Sequence, residues 1–426
     1  MENTPLVSQQ SINSRYVNHL VFLFGIVYFA QGIAQSGGLI SLPLNYYLKE
    51  VMQFNELGAT HYLAVLAIPW VIKPVYGLVS DFISLFGYRR KSWLLVLNLF
   101  TCIGYFWLAE IADNDQLIMA LLLTAIGTAA ADVIIDALMV ENGRKFNMTA
   151  QFQAVQWFWL CVAQIVTSIL GGWLAEMADP GTGLRTAAII TMAAPAIIAI
   201  LSWLIVKEEK TSMDVASLKA TVAGLRETFR SRLLWTTILF LVLWNFSPGF
   251  GIPIYYFMTD TLNFSQSFIG HLGAISSVGS ILGAWLYGKY LSNRSIDFQL
   301  VFSILTSAFS TFSYLGALTP TSYSSLLFIT LSFFFGITSM IALLAILTLA
   351  ARACPEKAEG FTFAVLMSII NGCAQLSAMT GSWMLVNWFA GYLAPLIILS
   401  GAATLFCLFL LPSFKVRKMV VVSERM

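Results

Sequence analysis

Lys73 is the only charge in a stretch that otherwise reads as lipid-facing: Ala67-Ile-Pro-Trp-Val-Ile-Lys73-Pro-Val-Tyr-Gly77-Leu-Val-Ser, closed by Asp81. A cation at a bilayer centre costs about 2.5–3.5 kcal/mol on insertion scales, so a partner or a function must offset it. Asp132 and Asp136, in Asp132-Val-Ile-Ile-Asp136, are the natural partners. At i and i+4 they share one helix face, about 5–6 Å apart. Carboxylates that close do not both ionise readily in low dielectric, so one is expected to hold a proton at neutral pH. Lys73 lies eight residues before Asp81, roughly 12 Å along a helix, and Asp132 lies nine before Glu141, roughly 13 Å. The three groups are therefore expected at comparable depth, with Lys73 paired to Asp136 or Asp132. Two roles stay open for them: a structural ion pair, or a proton-coupling and substrate site of the kind intramembrane charges usually mark.

These residues need a scaffold that spans a membrane. The chain has 426 residues, of which 58% are hydrophobic and 10% charged, and its mean hydropathy is +0.79. Soluble domains carry roughly 25% charged residues. At about 20 apolar residues per crossing, twelve spans are read near 18–46, 57–79, 92–111, 115–140, 150–176, 184–206, 233–258, 266–290, 298–318, 323–350, 360–387 and 391–413. With the N-terminus placed inside, 20 of the 23 Lys and Arg fall in inside segments, Lys49 and Arg185 fall outside, and Lys73 is within a span. That bias follows the positive-inside rule and puts both termini in the cytoplasm. The first apolar run reads as an uncleaved span rather than a signal peptide.

The longest inside segment, 207–232, follows the sixth span. Val215, Leu218, Val222, Leu225 and Phe229 lie on one helical face there, with Lys219, Arg226 and Arg230 elsewhere around it. It reads as an amphipathic helix under the bilayer. The expected organisation is an N-terminal six-helix bundle (1–206), this linker, and a C-terminal six-helix bundle (233–426). A faint repeat supports it: Phe54-Asn-Glu-Leu-Gly58 and Phe264-Ser-Gln-Ser-Phe-Ile-Gly270 begin 210 residues apart. Six plus six with a parallel repeat is the major facilitator arrangement, an all-α membrane fold.

Further polar side chains stud the spans. Gln31 and Gln35 are i,i+4; Gln153, Gln156 and Gln164 accompany Trp157 and Trp159; Asn245 follows Trp244; Asn371 and Gln375 are again i,i+4. Singly, each can be interhelical glue worth about 0.6 kcal/mol. As a set they suit a cavity for a planar, hydrogen-bonding solute, with Gln31, Gln35, Gln156, Trp157, Asn245, Asn371, Gln375 and Lys73 as the candidate binding residues. Gly77, Asp81, Arg89 and Arg90 resemble the loop signature between spans two and three of the major facilitator superfamily, with a longer insert and without the basic residue after the aspartate. They are the candidate cytoplasmic gate, able to latch the two halves, and the basic residues can equally just set topology.

Other chemistry is absent from the pattern. The five cysteines have no metal-ligand or redox spacing. Gly283 to Tyr290 nearly spells a phosphate loop, but its last position is Tyr290 and it closes a helix. No enzyme, metal or cofactor is expected. His271 is read as a lone polar residue near the outer mouth, so any coupling belongs to the first half.

Several stretches together resemble a known family. Tyr28-Phe-Ala-Gln-Gly32, Tyr46-Tyr-Leu-Lys49-Glu50, Pro69-Trp-Val-Ile-Lys73-Pro74-Val-Tyr-Gly77-Leu-Val-Ser-Asp81, Phe86-Gly-Tyr-Arg-Arg90 and Asp132-Val-Ile-Ile-Asp136-Ala-Leu-Met-Val-Glu141 are similar to the folate–biopterin transporter family of the major facilitator superfamily. The resemblance is dense over 28–141 and architectural beyond 205. It implies a secondary transporter of the inner or plasma membrane, its cargo a folate or pterin moved inward with protons, with Lys73, Asp132 and Asp136 on the family's charged positions. A monomer that engages its solute, protons and lipid, and no nucleic acid, is expected. The alternative is a muropeptide or siderophore permease of a related family, whose motifs share the Pro-Trp and Asp-Val-Ile-Ile-Asp stretches. The alternative of another class is a non-transporting membrane receptor.

Overall fold

The computed structural model describes residues 6–111, 113–146, 148–210, 232–354 and 359–411. The amphipathic segment 207–232 falls almost wholly outside them, so the helical face from Val215 to Phe229 lies outside the described residues.

Among the described residues the chain is helical, with no paired strands. The first group is α1 (Leu6–Ala34), α2 (Ser41–Glu50), α3 (Glu56–Val71), α4 (Lys73–Phe82), α5 (Lys91–Glu110), α6 (Asn114–Phe146), α7 (Thr149–Ala175) and α8 (Pro180–Ile205). The second is α9 (Arg232–Asn245), α10 (Gly251–Tyr256), α11 (Gln266–Leu286), α12 (Ile296–Ser313), α13 (Ser324–Ala353), α14 (Glu359–Asn387) and α15 (Leu393–Leu410). Among the described residues ten segments are long and apolar enough to cross a membrane, and Leu234–Asn245 and Leu393–Phe409 are shorter apolar helices. Together they make twelve crossings among the described residues; the face where Tyr16 meets Phe146 and Lys207 is here called the terminal face.

Three of the spans are not the continuous helices that hydropathy suggests. The span read over 18–46 breaks between Ala34 and Ser41, where Gly37 and Gly38 form turns. The span read over 233–258 breaks between Asn245 and Gly251, at Pro248 and Gly249. The span read over 57–79 breaks at Ile72, between Pro69 and Pro74. In each case turn chemistry outweighs an apolar window. Broken backbone of this kind needs protein partners for its freed polar groups. Gly249 N–H donates to the Ser377 carbonyl at 2.9 Å, and the Ser377 hydroxyl donates to the Ser247 carbonyl.

The 210-residue repeat is physical. Gln53 and Asn263 both take left-handed φ, at 54° and 52°. Phe54 N–H then donates to the Leu48 carbonyl at 3.0 Å, and Phe264 N–H to the Met258 carbonyl at 2.9 Å. Asn55 and Ser265 cap the helices that follow, accepting from the N–H groups of Gly58 and Phe268. Both copies thus use one turn: a left-handed residue, an aromatic, then a capping side chain.

One buried apolar cluster draws only on residues 20–206 and two others only on 234–397. A small fourth joins Ala59 to Tyr255, Tyr256 and Ile269. The groups also meet where α7 crosses α11: a Cβ added at Gly172 would lie 2.7 Å from the Gln266 carbonyl oxygen, so only glycine permits this approach. Polar contacts join them too. Lys49 Nζ bridges Glu50 and Asp260 at 2.6 and 2.7 Å, Tyr256 Oη donates to the Phe54 carbonyl at 2.6 Å, and the Thr60 and Ser382 hydroxyls are 2.7 Å apart. All of these polar contacts lie near the turn between α2 and α3, at the helix ends away from the terminal face.

Candidate functional site

Lys73 owes its position to two prolines. Pro74 has no N–H to donate and its ring disfavours helical backbone before it, so the helix breaks. Ile72 sits at φ −90° and ψ 15°, and α4 restarts at Lys73. The ammonium lies 4.6 Å from the centre of the Trp70 ring. It donates to Asp132 Oδ2 of α6 at 2.5 Å, and the two side chains are only 14% and 18% exposed. Of the two partners the sequence allows, Asp132 is the one bonded. Trp70 adds a cation–π contact, a favourable one in a desolvated place.

Asp136, one turn along α6, is bonded differently. Its Oδ1 accepts from Tyr28 Oη of α1 at 2.8 Å and from Gln156 Nε2 of α7 at 2.9 Å. Tyr28 is fully buried, and its hydroxyl also approaches Met139 Sδ at 3.4 Å. The cluster thus holds one cation and two carboxylates, with the cation on Asp132 and neutral donors on Asp136. Fully ionised it carries one uncompensated negative charge; one proton makes it neutral. Removing water from an uncompensated charge is costly.

Unused hydrogen-bonding capacity surrounds these groups. Both amide atoms of Gln31 are buried without a protein partner, as are Trp70 Nε1 and Tyr76 Oη. Buried polar atoms are normally satisfied. Four such atoms lie on α1, α3 and α4. The remaining candidates are less directed. Gln35 and Gln375 are half-buried, as is Trp157, and Asn245 Nδ2 donates to the Leu241 carbonyl of its own helix at 2.8 Å. Asn371 Nδ2 donates to the Trp70 carbonyl at 3.3 Å, a contact between α14 and α3. Two clefts of about 230 and 260 Å³ lie elsewhere, lined mostly by apolar side chains, and include none of Lys73, Asp132 and Asp136.

The candidate gate forms a network on the terminal face. Arg90 donates to Asp81 Oδ1 at 2.6 Å, to Glu141 Oε1 at 2.7 Å and to the Ser80 hydroxyl at 2.9 Å. Burial pushes its guanidinium down, but Glu141 and Asp81 outweigh that and hold it above its ordinary value. Arg89 is more exposed and reaches Asp81 at 3.6 Å. Glu208 accepts from the backbone N–H groups of Arg89, Arg90 and Lys91 at 2.8–3.1 Å, capping α5 from beyond α8. These partners all lie within 80–208, so the bonds described brace one group of helices and do not latch it to the other. Gly87 has φ +82° and needs glycine, whereas a Cβ at Gly77 would meet Val133 only at an ordinary 3.6 Å. Sequence reasoning gave no role to Tyr28, Trp70 or Glu208. Tyr28 sits one helical turn before Gln31, a spacing that could have flagged it; Glu208 carries no local signal.

Comparison with known proteins places this geometry. Residues 31–411 match the BT1 family. A folate–biopterin transporter of Synechocystis sp. is 28% identical over 395 residues, covering 89% of this chain and 78% of that protein. Folate transporter 1 of Plasmodium falciparum is 24% identical over 356 residues, covering 81% of this chain and 69% of that protein. Among solved structures, the nucleoside transporter NupG superposes with a TM-score of 0.68 at 16% identity, covering 93% of this chain and 98% of that one. A D-xylose–proton symporter gives 0.68 at 12% identity, covering 93% and 97%. These likenesses carry the fold, which is that of major facilitator transporters. The chain belongs to the BT1 family and is a membrane transporter, not an enzyme.

Proposed function

We propose that the protein is a proton-coupled importer of a folate- or pterin-like solute. The observation that carries this reading is the cluster of Lys73, Asp132 and Asp136, one proton short of neutrality at the break in the second span. The printed names of the relatives support the solute class. In this reading Asp136 takes the proton and Asp132 is the standing counter-ion of Lys73. An anionic or carbonyl edge of the solute competes with Asp132 for the ammonium. Gln31, Tyr76 and Trp70 offer unpaired donors and acceptors to a flat heterocycle, with Gln35, Gln156, Trp157, Asn245 and Gln375 as further polar contacts, while Asn371 bonds to the Trp70 carbonyl.

The bundles 1–206 and 233–426 rock against each other, joined by the 207–232 segment. The terminal face is cytoplasmic, in accord with the distribution of Lys and Arg. Contacts such as Lys49–Asp260 and Thr60–Ser382 then close the outer side, and the form described is inward-facing. Asp81, Arg89 and Arg90 stiffen the first bundle at the cytoplasmic gate. The working unit is a monomer in the inner or plasma membrane, with no cofactor.

The test is uptake of labelled folate or biopterin into proteoliposomes with an acidic exterior, with a muropeptide and a siderophore as competitors. Pteridine uptake that collapses with a protonophore supports the reading. Flux of a muropeptide or siderophore alone would move the substrate to the related permeases. Specific binding of a solute with no flux of any would favour a receptor.

A further inference from the structure

We propose that Asn371 is a positioning residue through which the second bundle acts on Lys73. The inference rests on the transport reading above and adds the route by which bundle movement reaches the charged site.

The argument starts from Pro74. An α-helical residue donates its N–H to the carbonyl four residues earlier, and proline has none. The carbonyl deprived of its donor is that of Trp70. Asn371 Nδ2, from α14 in the other group of helices, takes that carbonyl at 3.3 Å. The next residue along α14 abuts the same break: a Cβ at Gly372 would lie 3.6 and 3.8 Å from the Val71 methyl groups. The Trp70 ring in turn lies against the Lys73 ammonium at 4.6 Å. A helix break, a carbonyl it exposes, a donor from across the bundle boundary and the intramembrane Lys73 are thus contiguous.

This junction differs from the other polar contacts between the groups. Lys49–Asp260 and Thr60–Ser382 lie near the turn between α2 and α3, away from the terminal face. The Asn371 contact is to Trp70, whose ring lies against the Lys73 ammonium. When α14 moves relative to α3, Asn371 leaves the Trp70 carbonyl. Trp70 and the start of α4 are then free to shift, and the hold of Lys73 on Asp132 changes with them. A movement between bundles thereby sets whether the ammonium is paired internally or offered to an anion, and protonation of the cluster reaches the bundle boundary by the same path in reverse.

The test compares Asn371→Leu, Pro74→Ala and the double variant. Pro74→Ala returns a helical N–H to the Trp70 carbonyl and so displaces Asn371 without touching it. Two readouts are taken on purified protein: thermal stability from pH 5 to 9 without ligand, and equilibrium binding of biopterin over the same range. Each single variant is expected to shift the pH midpoint of both curves by about half a unit, threefold in proton affinity, the scale of an average interhelical hydrogen bond. The double variant is expected to match a single one. Asn371→Gln, which keeps a donor, is expected to recover part of the shift, and Asn371→Asp is not. Additive shifts in the double variant, or single variants with unchanged midpoints, would overturn the proposal. If wild-type protein binds no pteridine, the substrate reading fails, while the ligand-free stability curves still decide the role of Asn371.

Discussion

The Tyr28 hydroxyl donates to Asp136 Oδ1 at 2.8 Å, across 108 residues of chain, and Gln156 donates to the same oxygen at 2.9 Å. One carboxylate oxygen therefore takes two neutral donors from two helices, while the neighbouring Asp132 takes the Lys73 ammonium. This division of labour underlies the predictions that follow.

Asp136→Asn removes the proposed proton carrier but keeps an acceptor for Tyr28. It is expected to fold, to exchange labelled for unlabelled solute, and to lose accumulation against a gradient. A wild-type transporter moving one proton per solute can accumulate about tenfold per pH unit. The variant is expected to stop at equal concentrations, as measured by steady-state uptake in proteoliposomes with and without a protonophore.

Tyr28→Phe and Gln156→Leu each leave Asp136 one donor. Each is expected to cost about 0.5–1.5 kcal/mol in stability and to reduce coupled uptake only in part. Together they strip both donors, and coupled uptake is expected to fall to the level of Asp136→Asn. Thermal unfolding and uptake measured on the three variants check this.

Lys73→Met strands Asp132 without a cation. Breaking one side of a buried pair costs about 3–5 kcal/mol, while replacing both partners is often near neutral. Lys73→Met is thus expected to unfold at a clearly lower temperature, and Lys73→Met with Asp132→Asn to recover stability but not uptake. Failure of the second change to restore stability would place the partner of Lys73 elsewhere.

Lys49 bridges the two groups of helices away from the terminal face. Burial pushes its ammonium down, but Asp260 and Glu50 outweigh this and leave it raised. A raised lysine contributes stability fully below its ordinary value of about 10.4 and loses it as pH climbs through the higher folded value. Lys49 is 15% exposed but Asp260 is 54% exposed, so the pair is worth about 0.2–1 kcal/mol. Lys49→Met is expected to lower thermal stability by that small amount at pH 7 and to match wild type well above pH 10.4, the ordinary lysine value.

Much of this was legible in the sequence, and the rest was not for definite reasons. Apolar run lengths located twelve crossings because lipid demands them. The ionisable residues Lys73, Asp132 and Asp136 stood out because their cost in a span is high. The repeat at Phe54 and Phe264 was visible, and the structure adds the matching left-handed turns at Gln53 and Asn263. The breaks near Gly37 and Pro248 were signalled locally but lost inside apolar windows. The choice of Asp132 over Asp136 for Lys73, the donors Tyr28 and Gln156, the cap from Glu208 and the contact of Asn371 with Trp70 all depend on helices brought together from distant sequence. Spacing along one helix does not encode them.

The most direct measurement is the internal pH of proteoliposomes when biopterin or folate is added outside, with no initial pH gradient, read by a trapped pH-sensitive dye. The account predicts that wild-type protein acidifies the interior as solute enters, and that Asp136→Asn carries solute down its gradient without acidification. Solute uptake by wild-type protein with no change in internal pH, or equal acidification by Asp136→Asn, would contradict it.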